Sequence, residues 1–269
     1  MTLSNYIDLL RGKGHSDRTI QIYTGYVRRL MGWSAEHGHD PATIAAHHVR
    51  TWADAHLPLS WSSRKAARSA LSIYWHARHD QPHEAIRLPA KPKTRYRGMT
   101  VEQAVTFTQT ARMVGDRAGL AALCLMYTGA RAIEVAGFHH DHVDRESGVL
   151  SWWRPKQSDW HVMPLWPALA AAIPDGSGHL FQGDGGRAHV TAQTVHAWTR
   201  KVADVAELDV NPQKVRATAA HLIAKATRDI EAAAAVLGHR SIETTRKHYT
   251  VIVDDERMGR AMSGFDVLD

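Results

Sequence analysis

The sequence predicts a mainly α-helical protein of two domains, with one small β-hairpin set into the second. Three observations carry that reading. Apolar residues recur at helical spacing behind capping residues through most of the chain. The period drops to two only over 149–153 and 161–165. Between 81 and 98, prolines 82, 89 and 92 alternate with Lys91, Lys93, Arg95 and Arg97, which breaks regular structure and favours an extended chain. The expected layout is a helical bundle over 1–88, a basic linker over 89–98 and an α+β domain with a tail over 99–269.

In chain order, Ser4 is expected to cap a short helix through Arg11, broken by Gly12 and Gly14. Ser16 or Asp17 caps a longer helix to about His37, with Ile20, Tyr23, Val27, Leu30 and Met31 on one face. Helices over 46–56 and 60–79 follow, the latter with Arg64, Lys65 and Arg68 on its first turns. In the second domain, Thr100 and Gln103 form a capping box for a helix over 101–113. Asp116 caps a second, over 117–127, that is apolar on nearly all sides and so reads as buried. Gly129 ends it, and a short helix over 132–137 follows. The hairpin comes next, with the polar run 154–159 as its turn. Helices return over 167–173, 191–205, 212–226, 229–237 and 241–248, before a mixed tail.

Charge narrows the function. The formal net charge is +6 and the pI about 9.5, and residues 1–97 hold 15 of the 33 Lys and Arg but only 7 of the 27 Asp and Glu. A basic amino-terminal arm suits a polyanion. The single cysteine, Cys124, excludes an internal disulfide and a thiolate zinc site, and fits a reducing cytoplasm. The 19 histidines are scattered, and His47-His48 and His139-His140 lack the i, i+4 spacing of a helical metal pair, so neither metal nor other cofactor is expected. The start has no signal-peptide pattern, and no apolar run approaches the ~20 residues of a membrane helix.

Four places carry chemistry. In Thr128-Gly129-Ala130-Arg131, a buried helix ends and presents a guanidinium and backbone N–H groups, which suits a phosphate, with Glu134 one turn on to hold the guanidinium. Lys156 stands in the hairpin turn. Arg216 lies on an apolar helix, where it needs a partner, a carboxylate being the plain choice. Leu237-Gly238-His239 is followed ten residues later by Tyr249. Singly, each is commonplace: a helix-end arginine, a surface lysine, a histidine capping carbonyls, a packing tyrosine.

Their order and spacing together resemble the tyrosine recombinase (phage integrase) family over essentially the whole chain. The resemblance implies an amino-terminal SAM-like core-binding bundle and a carboxy-terminal catalytic domain. It assigns Arg131 and Arg216 to the non-bridging oxygens of the scissile phosphate, Lys156 to protonating the leaving 5′-hydroxyl, His239 to the phosphate and proton transfer, and Tyr249 to attack on phosphorus. It implies double-stranded DNA with an inverted-repeat core site as partner, and a homotetramer on that DNA from a free monomer or weak dimer. The place implied is the cytoplasm of a bacterial host. Arg64, Lys65, Arg68, Lys91 and Lys93 are the expected DNA contacts. The family usually has histidine where this chain has Gln213, which donates hydrogen bonds but shuttles no proton at neutral pH, so slower cleavage is expected. The bundle begins within the first residues, which points to a compact form lacking an arm-binding domain. Two alternatives remain at this point: a catalytically weakened DNA-binding or regulatory protein with the same fold, and a type IB topoisomerase.

Overall fold

The computed structural model describes residues 1–92 and 98–227, together with Glu231, Ala234, Ala235 and Leu237. Lys93, His239 and Tyr249, the helix expected over 241–248 and the tail lie outside those residues, as does much of the helix expected over 229–237. The chain divides into two compact units, Met1–Lys93 and Thr94–Asp269, mainly helical, with one small antiparallel sheet in the second.

The first unit packs α1 (Leu3–Gly12), α2 (Asp17–Glu36), α3 (Ala46–His56) and α4 (Trp61–Tyr74). Thr2, not Ser4, caps α1, its hydroxyl accepting from Asn5 N at 3.2 Å, so the helix begins two residues earlier than the serine suggests. Ser16 caps α2 as expected. Ile20, Val27 and Leu30 of α2 are buried with Tyr6, Leu10, Trp52 and Leu71. The Tyr6 hydroxyl crosses this core to donate to Ala70 O at 2.8 Å.

The fourth helix stops at Tyr74, short of His79. Trp75 becomes its C-cap and its indole N–H donates to Pro41 O at 3.1 Å, while Arg78 donates to the carbonyls of Ala42 and Ile44. These bonds tie residues 75–78 to the α2–α3 turn, which a continuing helix would not reach. The stretch after 81 also differs from the extended chain expected there. A 3-10 turn, Pro82–Ala85, buries Pro82, His83 and Ala85, and Ile86 follows it into the core.

In the second unit, α5 (Val101–Val114), α9 (Ala192–Val205), α10 (Pro212–Thr227) and the short α8 (Pro167–Ala172) surround α6 (Arg117–Thr128). α6 is buried on nearly every side, which its apolar composition requires. The capping box of α5 is formed, with Thr100 and Gln103 each bonded to the other's backbone N–H at 3.1 Å. Asp116 caps α6 through Ala118 and Gly119. Gly119 lets α5 and α6 approach, since a Cβ there would collide with the Ala111 carbonyl.

The sheet runs in the order β1 (Val143–Asp144), β2 (Val149–Arg154), β3 (Asp159–Pro164). Its register pairs Leu150 with Met163, Trp152 with His161 and Arg154 with Asp159. Leu150, Trp152, His161 and Met163 face the core, while Trp153, Trp160 and Val162 are exposed. Arg154 and Asp159, read from sequence as turn residues, are the last rung of the ladder. Their side chains form a two-pronged ion pair with both bonds at 2.8 Å, so the turn proper is 155–158. Among the described residues no helix is long and apolar enough to cross a membrane, and no group of His, Cys, Asp or Glu could hold a metal ion.

Candidate active site

The site is built at the end of α6. The Thr128 hydroxyl donates to Cys124 O at 2.6 Å and accepts from Ala130 N at 3.0 Å, which locks the exit from the helix. Gly129 takes the left-handed conformation, φ +61, that a residue with a Cβ resists. The chain then turns so that Arg131 is the N-cap of α7 (Ala132–Ala136).

Glu134, one turn into α7 and 2% exposed, grips Arg131 twice. Its carboxylate accepts from the Arg131 backbone N–H at 2.9 Å and from the guanidinium at 2.7 Å. Burial of a carboxylate is tolerated where it is paired and hydrogen-bonded in this way. One expectation is corrected here: the backbone N–H of Arg131 is taken by Glu134, so Arg131 offers an anion its guanidinium and not its amide.

Arg216 reaches the same place from α10. Val215 and Ala219, flanking it on the helix, are buried, and Thr218 fixes α10 to the start of the unit by accepting from Met99 N at 2.8 Å. The Arg216 guanidinium donates to Gly129 O and, at 2.9 Å, to Leu237 O. Its partners are thus backbone carbonyls rather than the carboxylate that sequence suggested. Leu237 also packs on Gly129, where a Cβ would meet its Cδ2 at 2.5 Å. The first residue of the Leu-Gly-His motif therefore lies against the glycine of the Thr-Gly-Ala-Arg motif.

Among the described residues the site is short of negative charge. Burial, with the Arg131 guanidinium nearby, pushes the Arg216 guanidinium down to about 10, Glu134 opposing and Arg154 adding to the shift. Arginine still carries its charge at neutral pH. Among the described residues, the carboxylate of Asp159 is engaged by Arg154 and that of Glu134 by Arg131, while Arg216 has no carboxylate bonded to it. One guanidinium paired with a carboxylate and a second held only on carbonyls leave net positive charge that suits an anion.

The hairpin completes the described part. Lys156 is exposed at its tip, and Gln157 beside it is half-buried with its amide against Arg131. A guanidinium has only donors, so the amide oxygen must face it, and so oriented it accepts from Nη1 at 3.0 Å and Nη2 at 3.2 Å. Sequence reasoning passed over Gln157, whose only signal was its place next to the lysine. Gln213 is exposed on the first turn of α10.

In the first unit, the expected DNA contacts separate. Arg64 is 3% exposed, paired to Asp54 at 2.9 Å and bonded to the carbonyls of Ala53, Pro58 and Arg87. That overturns its assignment to DNA, because its donors are spent holding α3, α4 and the chain after α4 together. Lys65 and Lys91 are exposed, with ammonium groups over the Trp61 ring at 4.7 and 5.3 Å from its centre. Arg68 is half-buried.

Comparison with known proteins bears on the whole chain. Residues 97–256 match the model of the phage integrase family. Tyrosine recombinase XerA of Thermococcus kodakarensis is 27% identical over 266 residues, covering 94% of this chain and 90% of XerA. Tyrosine recombinase XerC of Ralstonia pickettii is 26% identical, covering 91% of this chain and 87% of XerC. Among solved structures, the XerH site-specific recombinase bound to palindromic difH substrate in a post-cleavage complex superposes with a TM-score of 0.70 at 16% identity, over 92% of this chain and 80% of that one. A lambda integrase tetramer bound to a Holliday junction gives 0.67 at 17% identity, over 89% and 76%. At those identities the structures show likeness of fold.

Proposed function

The chain belongs to the phage integrase family and is a site-specific tyrosine recombinase, and from that premise we propose that it cuts duplex DNA with the phenol of Tyr249 while Arg131 and Arg216 hold the phosphate under attack. The observation that supports the assignment is that the Arg216 guanidinium is held on Leu237 O and on Gly129 O, two residues before Arg131, whose own guanidinium is held by Glu134. Charge builds on the non-bridging oxygens as phosphorus becomes five-coordinate, so fixed guanidiniums stabilise that state more than the starting diester. The Tyr249 oxygen bonds to phosphorus and the bond to the 5′-oxygen breaks. Lys156 gives its proton to that oxygen, and a 3′-phosphotyrosyl link remains. His239 bonds the phosphate and takes part in proton transfer. Gln213 adds a hydrogen bond to phosphate without proton transfer. The link conserves the energy of the diester, so a 5′-hydroxyl from another strand rejoins by the reverse steps. The acting form is a tetramer on paired core sites with inverted repeats.

The test is the adduct itself. A nicked duplex that loses its short 5′-hydroxyl fragment after cleavage should trap protein on DNA, and peptide mapping should find the 3′-phosphate on Tyr249. Linkage at another tyrosine overturns the assignment. No adduct on any flanking repeat of the element that encodes the chain favours the regulatory reading, and relaxation of supercoils without site preference favours a topoisomerase.

In the amino-terminal unit we place DNA contacts at Lys65 and Lys91, with Lys93 after them. Lys65→Ala should leave Tm unchanged and reduce the slope of log affinity against log salt by about 1, the mark of one lost phosphate contact. Arg64→Ala should instead lower the stability of the unit by about 2 kcal/mol, since bonds to charged donors are lost in a buried place. Thermal unfolding and DNA titration at several salt concentrations separate the two.

A further inference from the structure

We propose that Gln157 is a positioning residue that latches the hairpin tip to Arg131, so that the proton donor Lys156 and the phosphate clamp are delivered to the same phosphodiester as one piece. The proposal rests on the reading of Lys156 as the general acid.

The tip is built to transmit such a tether. The Arg154–Asp159 ion pair closes its base with two bonds at 2.8 Å. The backbone N–H groups of Gln157 and Ser158 both donate to Arg154 O, at 3.1 and 2.9 Å. Ser158 takes φ +53, the left-handed conformation needed to close so short a turn. Within residues 155–158 the backbone therefore has little freedom, and fixing one side chain fixes its neighbours.

The Gln157 side chain is fixed at its far end. Turned with its oxygen toward the guanidinium, the amide spans both terminal nitrogens of Arg131, at 3.0 and 3.2 Å, and Glu134 holds one of those nitrogens at 2.7 Å. The guanidinium is itself set by the end of α6, so the chain of contacts runs from the core of the unit through Glu134 and Arg131 to the hairpin tip. Lys156 is the next residue, about 3.8 Å away along the backbone. Its four-carbon stem then has to search only the space beside the clamp. A lysine on an unlatched hairpin would pay that ordering cost in each transition state.

The chemistry supplies a discriminating test. A 5′-bridging sulfur in place of the leaving oxygen departs as a thiolate, and a thiol with a pKa of ~8.5 needs no proton to leave. Loss of the acid, or of its placement, then ceases to matter, while loss of the phosphate clamp still does. Single-turnover cleavage is measured on paired oxygen and sulfur substrates for the parent, Lys156→Ala, Gln157→Ala and Gln157→Met, the last keeping volume without the acceptor. General acids contribute about 10²–10⁴-fold, so a misplaced one should cost roughly 10-fold or more on the oxygen substrate. Both Gln157 variants are expected to fall by at least that factor with oxygen and to match the parent within about 2-fold with sulfur. Gln157 variants that stay slow on sulfur, while Lys156→Ala recovers, would place the residue in the clamp and overturn the proposal. Variants as fast as the parent on oxygen overturn it as well. If Lys156→Ala itself fails to recover on sulfur, the lysine is not the acid, and both the underlying reading and the latch fall.

Discussion

Arg216→Ala should slow formation of the covalent DNA adduct by about 10²–10³-fold, about 3–4 kcal/mol, the scale seen when one fixed donor to a developing anionic oxygen is removed. Affinity for duplex DNA should change by only a few fold, because most phosphate contacts lie elsewhere along the backbone. The structure adds a second expectation. Arg216→Lys keeps the charge but not the fork that spans Gly129 O and Leu237 O. An ammonium gathers its three donors on one nitrogen and does not reproduce the flat fork that spans both carbonyls and leaves donors for the phosphate, so the lysine variant should remain about 10²-fold slow. Single-turnover cleavage at saturating protein, set beside DNA affinity, reads the split. Recovery of most of the rate by lysine would mean that charge alone matters and that the carbonyl contacts are incidental.

The same pair of carbonyls shows where sequence reading stops. Thr128, Gly129 and Arg131 are legible because each does a local job: a hydroxyl that caps its own helix, a left-handed turn, and an N-cap. Glu134 is legible for the same reason, lying one turn from the arginine it holds. Arg216 can be read as a residue in need of a partner, but not which. Gly129 is 87 residues away, and a backbone carbonyl leaves no mark in the sequence. The alternation of 149–153 with 161–165 gave away the hairpin, yet Arg154 and Asp159 look like turn residues until their pairing makes them its last rung. β1 is two residues long, too short for any period. The helix over 60–79 overruns because Trp75 continues the apolar spacing, while its indole bond to Pro41 O, which ends the helix, is a tertiary fact. Arg64 has the spacing of a solvent-facing basic residue and is buried, because Asp54 and three carbonyls from separate segments converge on it.

Glu134→Ala should be the most damaging change to stability among the residues around the clamp. The carboxylate is buried and satisfies two donors of Arg131, so its loss leaves a backbone N–H without its acceptor and a guanidinium with no counter-charge, held only by the Gln157 amide, near a second guanidinium. Removing one partner of a buried pair costs about 3–5 kcal/mol, and the lower end applies because the Arg131 side chain keeps 29% of its exposure to water. For a unit of this size about 3 kcal/mol corresponds to a fall in Tm of roughly 6–12 °C. Glu134→Gln separates geometry from charge. It keeps the shape and one acceptor but raises the net positive charge of the site, so inorganic phosphate should raise its Tm by more than it raises that of the parent. Thermal unfolding of parent and both variants across a phosphate series, at constant ionic strength, measures both effects. An unchanged Tm for the alanine variant would mean that Glu134 does not brace Arg131, and equal phosphate shifts for parent and glutamine variant would mean that the anion binds away from the two arginines.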